Sequence, residues 1–430
     1  MDNRQTCSRV QLSGLDVIKN INPISTNERV QFLDVLRGLA ILGMFAVNMT
    51  VDYSIDETQA LQLALPDFLT VVFIDLFAKG KFATIFSFLF GIGFFVQMER
   101  ARARGGNHIA FYVRRSVGLF LIGILAMACT VWADMLIYFG IFGLALLLFY
   151  KRSPRTILAM AMLCILLSTI FGSIGPGVSE SLALQALAAE QGVSVTEVIQ
   201  PVDPADEAWL ELMREGDFLQ ISSAGLAGIL VAFSDWRWCM GKLDLLGLML
   251  LGLYVGRRGA VWNADIRRRV ARQALPWLIG AGFGGCLIWV AMQDFGLGAS
   301  GSLVHRVIEN LAGWPVGVNA LGLGYAAAIT LLIGKDNWRR LLTPFAAVGR
   351  MALTHYLFTL FVGAFIYWSW GLGLNEKIMP TTGLAIAIGV FFFQVLASHW
   401  WMRRFRFGPV EWLLRSFTYG KRQPFRIGVG

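Results

Sequence analysis

The chain has few charged residues and few cysteines for its length. Only 15% of its 430 residues are charged, whereas soluble domains average about 25%. The hydrophobic share is 56% and the mean hydropathy is +0.60, which excludes an ordinary soluble domain and a disordered chain. The five cysteines are odd in number and scattered, so they predict neither a disulfide framework nor a metal site. A polytopic membrane protein remains.

Several familiar signatures are also absent from the sequence. It has no Gly-rich phosphate loop, no His-Glu-x-x-His zinc helix and no Ser nucleophile elbow. The first 30 residues contain no apolar stretch ahead of a cleavage site, so we expect no cleaved signal peptide. Candidate functional residues must therefore be polar groups inside or beside the apolar runs.

Ten apolar runs of about 20 residues predict ten membrane-spanning helices. The runs are 32–51, 82–98, 116–132, 135–150, 156–174, 241–255, 271–293, 311–334, 345–370 and 382–402. They divide the chain into an N-terminal tail (1–31), an N-terminal bundle (32–174), an acidic loop with an interfacial helix (175–240), a C-terminal bundle (241–402) and a basic tail (403–430). The predicted fold class is an all-α polytopic transmembrane helix bundle.

The basic residues are distributed unequally between the two sides of this predicted bundle. Alternate gaps, beginning with the N-terminal tail and ending with the C-terminal tail, hold 28 of the 37 Lys and Arg residues, and the opposite gaps hold five. This asymmetry is the positive-inside pattern, which places both termini in the cytoplasm. The net charge of +9 is therefore a topology signal, and we expect no nucleic-acid partner.

The first predicted span carries a polar stripe. At 100° per residue, Arg37 lies about 60° from Asp34, and Asn48 returns to within about 40° of Asp34. A charge inside a span costs about 2.5–3.5 kcal/mol on insertion scales, so the stripe should face the bundle interior. Two readings stay open: a structural Asp34–Arg37 pair that anchors the helix, or an Arg37 that binds the anionic part of a cytoplasmic ligand.

Other candidate residues have equally plain structural alternatives. Lys81 follows Lys79 and Gly80 and could simply snorkel at a span end. Asp134 stands at a tight turn that it could cap. Arg350 and His355 lie near the start of the ninth span, where a buried His is more often satisfied by a neighbouring hydroxyl or carbonyl than catalytic.

Three segments outside the spans also give expectations. Residues 68–78 and 219–233 are apolar but flanked by breaks or charges, so we expect them to be interfacial or re-entrant. Residues 179–192 of the acidic loop read as a helix. The ending 408–426 predicts an amphipathic helix with a Glu411–Arg415 pair. The basic tail contains three cations that should contact anionic lipid head groups, or a nucleotide phosphate if the protein is an enzyme: Lys421, Arg422 and Arg426.

Several motifs resemble the YeiB-like family of bacterial inner-membrane proteins, whose C-terminal half is called domain of unknown function 418. They are Leu33-Asp-Val-Leu-Arg-Gly-Leu-Ala-Ile-Leu-Gly43 with Val47-Asn48, Gly80-Lys-Phe82 and Phe86-Ser-Phe-Leu-Phe-Gly-Ile-Gly93, Gly349-Arg-Met-Ala-Leu-Thr354, and the ending Phe407-Gly-Pro-Val-Glu-Trp through Pro424. The resemblance covers nearly the whole chain and implies a multi-pass protein of the bacterial inner membrane.

The first-span pattern also resembles the more distant transmembrane acyltransferases, including heparan-glucosaminide N-acetyltransferase. That resemblance implies acyl-CoA as a cytoplasmic co-substrate, no firm cofactor or metal, and a small-molecule or lipid acceptor on the far side. Those enzymes carry a catalytic His shortly after the Asn, whereas residues 49–65 here contain no His. The catalytic candidates are therefore Asn48, Asp52 and His355.

The substrate-binding candidates that complete this prediction are Asp34, Arg37, Lys81, Asp134 and Arg350. A transporter or exporter of a small metabolite is the alternative function, with the Asp34–Arg37 pair and His355 as a polar pathway. A homodimer stays open.

Overall fold

The computed structural model describes residues 26–52, 63–103, 108–131, 134–174, 204–234, 236–293, 310–375 and 377–427. Within these ranges the chain is helical, and the sole extended pairing is an isolated antiparallel bridge between Phe405 and Arg426. The helices of the first half are α1 (Thr26–Val47), α2 (Leu65–Phe77), α3 (Lys81–Ala103), α4 (His108–Thr130), α5 (Asp134–Phe149), α6 (Pro154–Ile174) and α7 (Pro204–Glu215).

The helices of the second half begin after a short break at residues 216–217. They are α8 (Phe218–Ser234), α9 (Trp236–Gly241), α10 (Leu243–Arg257), α11 (Ala264–Gln293), α12 (Ala320–Leu332), α13 (Asp336–Arg350), α14 (Ala352–Tyr367), α15 (Pro380–Met402) and α16 (Pro409–Tyr419). Two π-helical segments interrupt this pattern: Asn48–Asp52 continues α1, and Ala312–Asn319 precedes α12.

Eight helices in the described ranges are long and apolar enough to cross a bilayer. The bent pair α13–α14 makes a ninth candidate, and the shorter α5 coincides with the remaining predicted run. The all-helical membrane-protein prediction is therefore confirmed, whereas the number of ten crossings stays a prediction.

The structure differs from the sequence prediction at the ninth run. We expected one span over 345–370, but α13 and α14 meet at an angle of 80°. Met351 breaks the helix with φ −115° and ψ 30°, and the new N-terminus of α14 is capped by Glu411 from α16. A break that depends on a contact 58 residues away leaves no local sequence signal.

The segments expected at the interface are also helical. Residues 68–78 fall largely in α2, which joins α3 in an apolar stretch of 39 residues, and 219–233 fall in α8, which packs on α4. The predicted loop 175–218 contains α7, whose Met213 is buried in a cluster with Tyr367 and Trp368. The predicted helix 179–192 lies outside the described residues.

The two ends of the bundle can be told apart by their helix junctions. At one end Tyr150 donates a hydrogen bond to Glu99 at 2.8 Å and Arg257 donates to the carbonyl oxygen of Arg152. Helix α16 packs against α4 at the same end. We call this the basic end, because the Arg-rich and Lys-rich junctions and the C-terminal tail meet there. We call the other end of the bundle the opposite end.

Candidate functional site

A cavity of about 730 Å³ opens at the basic end. Its walls come from α1, α3, α4, α5, α13, α14 and α16. Six arginines line it, namely Arg37, Arg100, Arg115, Arg350, Arg406 and Arg415. Among the described residues, two carboxylates line it with them, those of Asp34 and Glu411. The arginine excess makes the cavity strongly cationic.

The inner part of the same cavity is apolar. It is lined by Met44, Phe86, Phe90, Leu119, Met135, Leu136 and Phe139. A ligand that fills the cavity therefore contacts arginines with one part and apolar side chains with the other. This change in polarity along the cavity suits a ligand with an anionic group at one end and an uncharged chain at the other.

Asp34 and Arg37 form the pair that their spacing predicted. Arg37 Nη1 lies 3.0 Å from Asp34 Oδ1. Asp34 is 4% exposed, whereas the Arg37 side chain keeps 30% of its surface exposed, so the guanidinium faces the cavity. Both residues line that cavity, which places the pair in the protein interior and not on the lipid face.

Close contact between α1 and α13 brings the predicted Arg350 to the same wall. A Cβ atom added at Gly349 would lie 1.7 Å from the main-chain oxygen of Asp34, so only glycine permits this approach. Arg350 follows directly and lines the cavity. The glycine contact and the charged pair are thus parts of one helix crossing.

Helix α4 adds two polar groups that have no hydrogen-bond partner in the part of the chain that the structure describes. They are the buried hydroxyl of Tyr112 and the Nε of Arg115, and both residues line the cavity. Buried donors are nearly always satisfied in folded proteins, by protein, water or ligand. An acceptor-rich ligand in the cavity would satisfy both.

Helix α16 closes part of the cavity wall. Glu411 accepts hydrogen bonds from the main-chain nitrogens of Leu353 (2.6 Å) and Thr354 (3.1 Å) and from the Thr354 hydroxyl (2.5 Å). Burial raises the pKa of the Glu411 carboxyl, against the opposing effect of these hydrogen bonds. The carboxylate thus caps the start of α14, and the Glu411–Arg415 pair that the sequence predicted stays a prediction.

Asn48 lies just beyond the apolar end of the cavity. It starts the π-helical segment Asn48–Asp52, one helical turn of about 6 Å past the cavity-lining Met44. Tyr367 donates a hydrogen bond of 2.8 Å to the carbonyl oxygen of Met49 and so holds this segment. Asn48 is half-buried. The Asp52 side chain lies outside the described part of the structure.

The remaining predicted residues are placed elsewhere. His355 does not line the cavity; its Nε2 lies 2.6 Å from the Ser398 hydroxyl, which donates in turn to the carbonyl oxygen of Gln394. Asp134 is the first residue of α5, and its side chain is not among those described. The catalytic role of His355 and the binding role of Asp134 stay predictions.

Lys81 belongs to a separate polar cluster near the opposite end, at the start of α3. It is fully buried, and its Nζ donates a 2.5 Å hydrogen bond to the main-chain oxygen of Asp75. The Asp75 carboxylate lies 3.7 Å from Lys79. Lys81 therefore does not join the arginines, although the sequence placed it among the same binding candidates.

The sequence reading missed Tyr112, Arg115, Arg406 and Glu411 as cavity residues. A signal existed for the first two, because Tyr112, Arg115 and Ser116 share one helix face at spacings of three and four. The arginine at 115 was counted only as a topology charge. No local sequence pattern in the C-terminal tail predicts that its residues line the cavity.

The comparisons with known proteins agree with this architecture. Residues 29–219 match the model of heparan-alpha-glucosaminide N-acetyltransferase, catalytic, and residues 255–421 match that of a protein of unknown function, DUF418. Uncharacterized protein YxaH of Bacillus subtilis is 29% identical over 95% of this chain and 98% of its own length. Uncharacterized protein YeiB of Escherichia coli is 26% identical over 91% of this chain and 96% of its own length.

The chain resembles YeiB-like proteins over nearly its whole length. A further relative, an uncharacterized 39.9 kDa protein of Bacillus acidopullulyticus, is 25% identical over 95% of this chain. No solved structure matches. These similarities and the apolar helices indicate a multi-pass membrane protein whose N-terminal half resembles an acyltransferase. That half contains the Asp34–Arg37 pair, Asn48 and the α4 residues of the cavity.

Proposed function

We propose that the protein is a membrane acyltransferase that binds acyl-CoA at the basic end and passes the acyl group to an acceptor reached from the opposite end. The charge asymmetry of the gaps orients the basic end toward the cytoplasm, where acyl-CoA is made. The membrane is then the bacterial inner membrane. The acceptor is a small molecule or a lipid.

The cationic cavity is the observation that carries this proposal. Arginine is the side chain best matched to phosphate, because its planar fork donates two parallel charge-assisted hydrogen bonds. Among the described residues, six arginines and two carboxylates line it, and Tyr112 and Arg115 offer donors that no described residue satisfies. The nucleotide phosphates fit this region, and the uncharged thiol-bearing arm fits the apolar depth toward Met44.

The transfer itself needs an acceptor, an oxyanion donor and a route for one proton. The acceptor's hydroxyl or amine attacks the thioester carbonyl, the carbon–sulfur bond breaks, and the free CoA thiol receives the proton that the acceptor loses. An amide one turn beyond Met44 is positioned to donate to the carbonyl oxygen as it gains charge. We assign this role to Asn48, and π-helical turns such as its own often occur at functional sites.

Binding of CoA tests the donor site. Isothermal calorimetry on the protein in nanodiscs should show saturable CoA binding. The Arg115→Gln variant should bind about ten- to a hundredfold more weakly, since a hydrogen bond to a charged group contributes about 1.5–3 kcal/mol. Arg155→Gln is the matched control, because Arg155 is exposed at the first turn of α6. Absence of CoA binding by the unmodified protein would overturn the proposal.

Slow hydrolysis of acetyl-CoA tests the transfer step without knowledge of the acceptor, because water can replace it. The readout is release of the free CoA thiol. Asn48→Ala should keep CoA affinity and lose about 10²–10³-fold in rate, as removal of one oxyanion donor does in other enzymes. Thiol release by Asn48→Ala at the unmodified rate would remove Asn48 from the site.

One observation favours the alternative, a transporter of a small metabolite. The π-helical segment Asn48–Asp52 follows α1, and the segment Ala312–Asn319 precedes α12, so each half of the chain has one apolar helix with an irregular end. Broken helices mark the substrate sites of many transporters. Alternating access would expose the fully buried Cys286 to a membrane-impermeant maleimide added at the opposite end. A variant that keeps only this cysteine should be labelled if the protein is a transporter and stay unlabelled if it is not.

A further inference from the structure

Two segments in the last part of the chain fold against each other at the basic end. The linker, residues 403–408, joins α15 to α16 and carries Arg406, which lines the cavity. The clasp, residues 420–427, follows α16 and runs antiparallel to the linker at the bridge between Phe405 and Arg426. The clasp residues line no part of the described cavity, so they can act on a ligand there only through the residues that they hold.

Two main-chain hydrogen bonds hold the linker to the clasp. The nitrogen of Arg406 donates to the carbonyl oxygen of Phe425 at 2.9 Å. The nitrogen of Ile427 donates to the carbonyl oxygen of Arg404 at 3.0 Å. The first of these bonds is made by the main chain of the residue whose side chain lines the cavity, so the clasp fixes the point from which that arginine extends.

Aromatic rings pack the clasp against the linker and both flanking helices. The ring centroid of Phe425 lies 4.7 Å from that of Phe405 in the linker and 5.1 Å from that of Trp412 in α16. Phe405 stacks in turn on Trp401 of α15 at 4.3 Å. Trp412 also donates a 2.8 Å hydrogen bond to the carbonyl oxygen of Gln423. Phe425 thus joins the linker, α15 and α16 in one packed cluster.

We propose that the clasp positions Arg406 for the anionic ligand of the cavity, with Phe425 as the positioning residue. Arg406 is exposed, and an exposed arginine on a short linker samples many positions unless its main chain is held. Ordering such a side chain on binding costs affinity, and a main chain that is already fixed lowers that cost. The inference rests on the proposed function, because it takes the phosphates of CoA as the anion that Arg406 binds.

Calorimetric titration of CoA into the full chain in nanodiscs tests the inference through a double-mutant cycle. Phe425→Ala should weaken CoA binding about two- to tenfold, which is the cost of ordering one long side chain. In the Arg406→Gln background, Phe425→Ala should cause little further loss, because Phe425 acts through Arg406. Phe425→Tyr keeps the ring and should bind CoA as the unmodified protein does. Phe392→Ala is the matched control, since it removes an exposed ring of α15.

A reversible cross-link tests the same contact within one protein. The two main-chain hydrogen bonds flank Phe405 and Arg426, and such a non-hydrogen-bonded antiparallel pair has its Cα atoms about 4.5 Å apart, which suits a disulfide. The Phe405→Cys/Arg426→Cys variant should bind CoA weakly while dithiothreitol keeps its thiols reduced. After oxidised glutathione joins them, it should bind about two- to tenfold more tightly. The single variant Phe405→Cys should bind weakly in both conditions.

The unmodified protein separates failure of the clasp from failure of the CoA site. If it binds no CoA, the proposed function fails and this inference fails with it. If it binds CoA and Phe425→Ala binds equally well, or if the losses from Phe425→Ala and Arg406→Gln simply add, the clasp does not position Arg406 and the CoA site stands. Equal affinities of the reduced and oxidised double-cysteine variant would also overturn the inference, even where Phe425→Ala is too unstable to titrate.

Discussion

The two polar regions of this bundle accommodate charged side chains in the protein interior in opposite ways. The cavity at the basic end keeps six arginines beside an open space of about 730 Å³, so their charges retain access to water or ligand. The Lys81 cluster near the opposite end buries one ammonium completely. The comparison teaches that charges beside an open cavity can stay solvated, whereas a sealed lysine depends on the polar and aromatic groups packed against it.

The largest expected effect comes from removing single charges in the two regions. Arg37→Ala leaves the buried Asp34 without its 3.0 Å partner, which should lower the free energy of unfolding by about 3 kcal/mol. The double variant Asp34→Ala/Arg37→Ala should lose less. Lys81→Met should lose nothing. Unfolding in a denaturing detergent titration measures all three, and a Lys81→Met variant as unstable as Arg37→Ala would break the comparison.

Glycine contacts hold the two regions separately, so alanine substitutions should uncouple them. Gly349→Ala places a Cβ atom 1.7 Å from Asp34 and Gly322→Ala places one 2.6 Å from Lys81, and each should cost about 1–3 kcal/mol through overpacking. The first should reduce CoA binding and the second should leave it unchanged. Gly389→Ala is the control, because nothing lies within 4 Å of its added Cβ. Equal loss of CoA binding in both variants would show one coupled region.

Lipid preference should differ between the two ends. Lys421, Arg422 and Arg426 are exposed beyond α16, so their replacement by Gln should weaken association with anionic lipid by about 1 kcal/mol per charge. Arg422 should contribute least, because its guanidinium already lies 5.7 Å from the Trp412 ring centroid. Native mass spectrometry of co-purified phosphatidylglycerol measures this. Lys377→Gln at the opposite end should leave the amount unchanged, and an equal loss in both variants would contradict the assignment.

The smallest effect concerns Glu411 and pH. Its folded-state pKa is raised above the ordinary 4.5, so the folded protein retains a proton that the unfolded chain releases. The free energy of unfolding should therefore fall as pH rises from about 4.5 through the raised pKa. Glu411→Gln should remove that part of the dependence, and Glu215→Gln, at an exposed position, should not. Parallel pH profiles for all three proteins would contradict it.

Local periodicity was sufficient to predict contacts that form within a single helix. Asp34 and Arg37 are three residues apart, so helix geometry alone brings them within 3.0 Å. The apolar runs likewise predicted helices that the structure shows. Lys81 was predicted to be a binding candidate or a lysine that snorkels at a span end. Its burial and its separation from the arginines depend on which helices pack together, which no single apolar run reveals.

Features created by contacts distant in sequence could not be predicted in this way. The 80° bend between α13 and α14 depends on Glu411, which caps Leu353 from 58 residues away. The cavity likewise needs Arg406 from the tail and Arg115 from α4. Each of these residues has an ordinary local reading as an interfacial or topology charge.

The most direct test of the donor-site account is a structure of the protein in nanodiscs at saturating CoA. We expect the diphosphate within hydrogen-bonding distance of Arg37, Arg115 and Arg350, the Tyr112 hydroxyl satisfied, and the thiol directed toward Met44 and Asn48. CoA bound outside the cavity, or a phospholipid that fills the cavity while CoA is absent, would contradict the account.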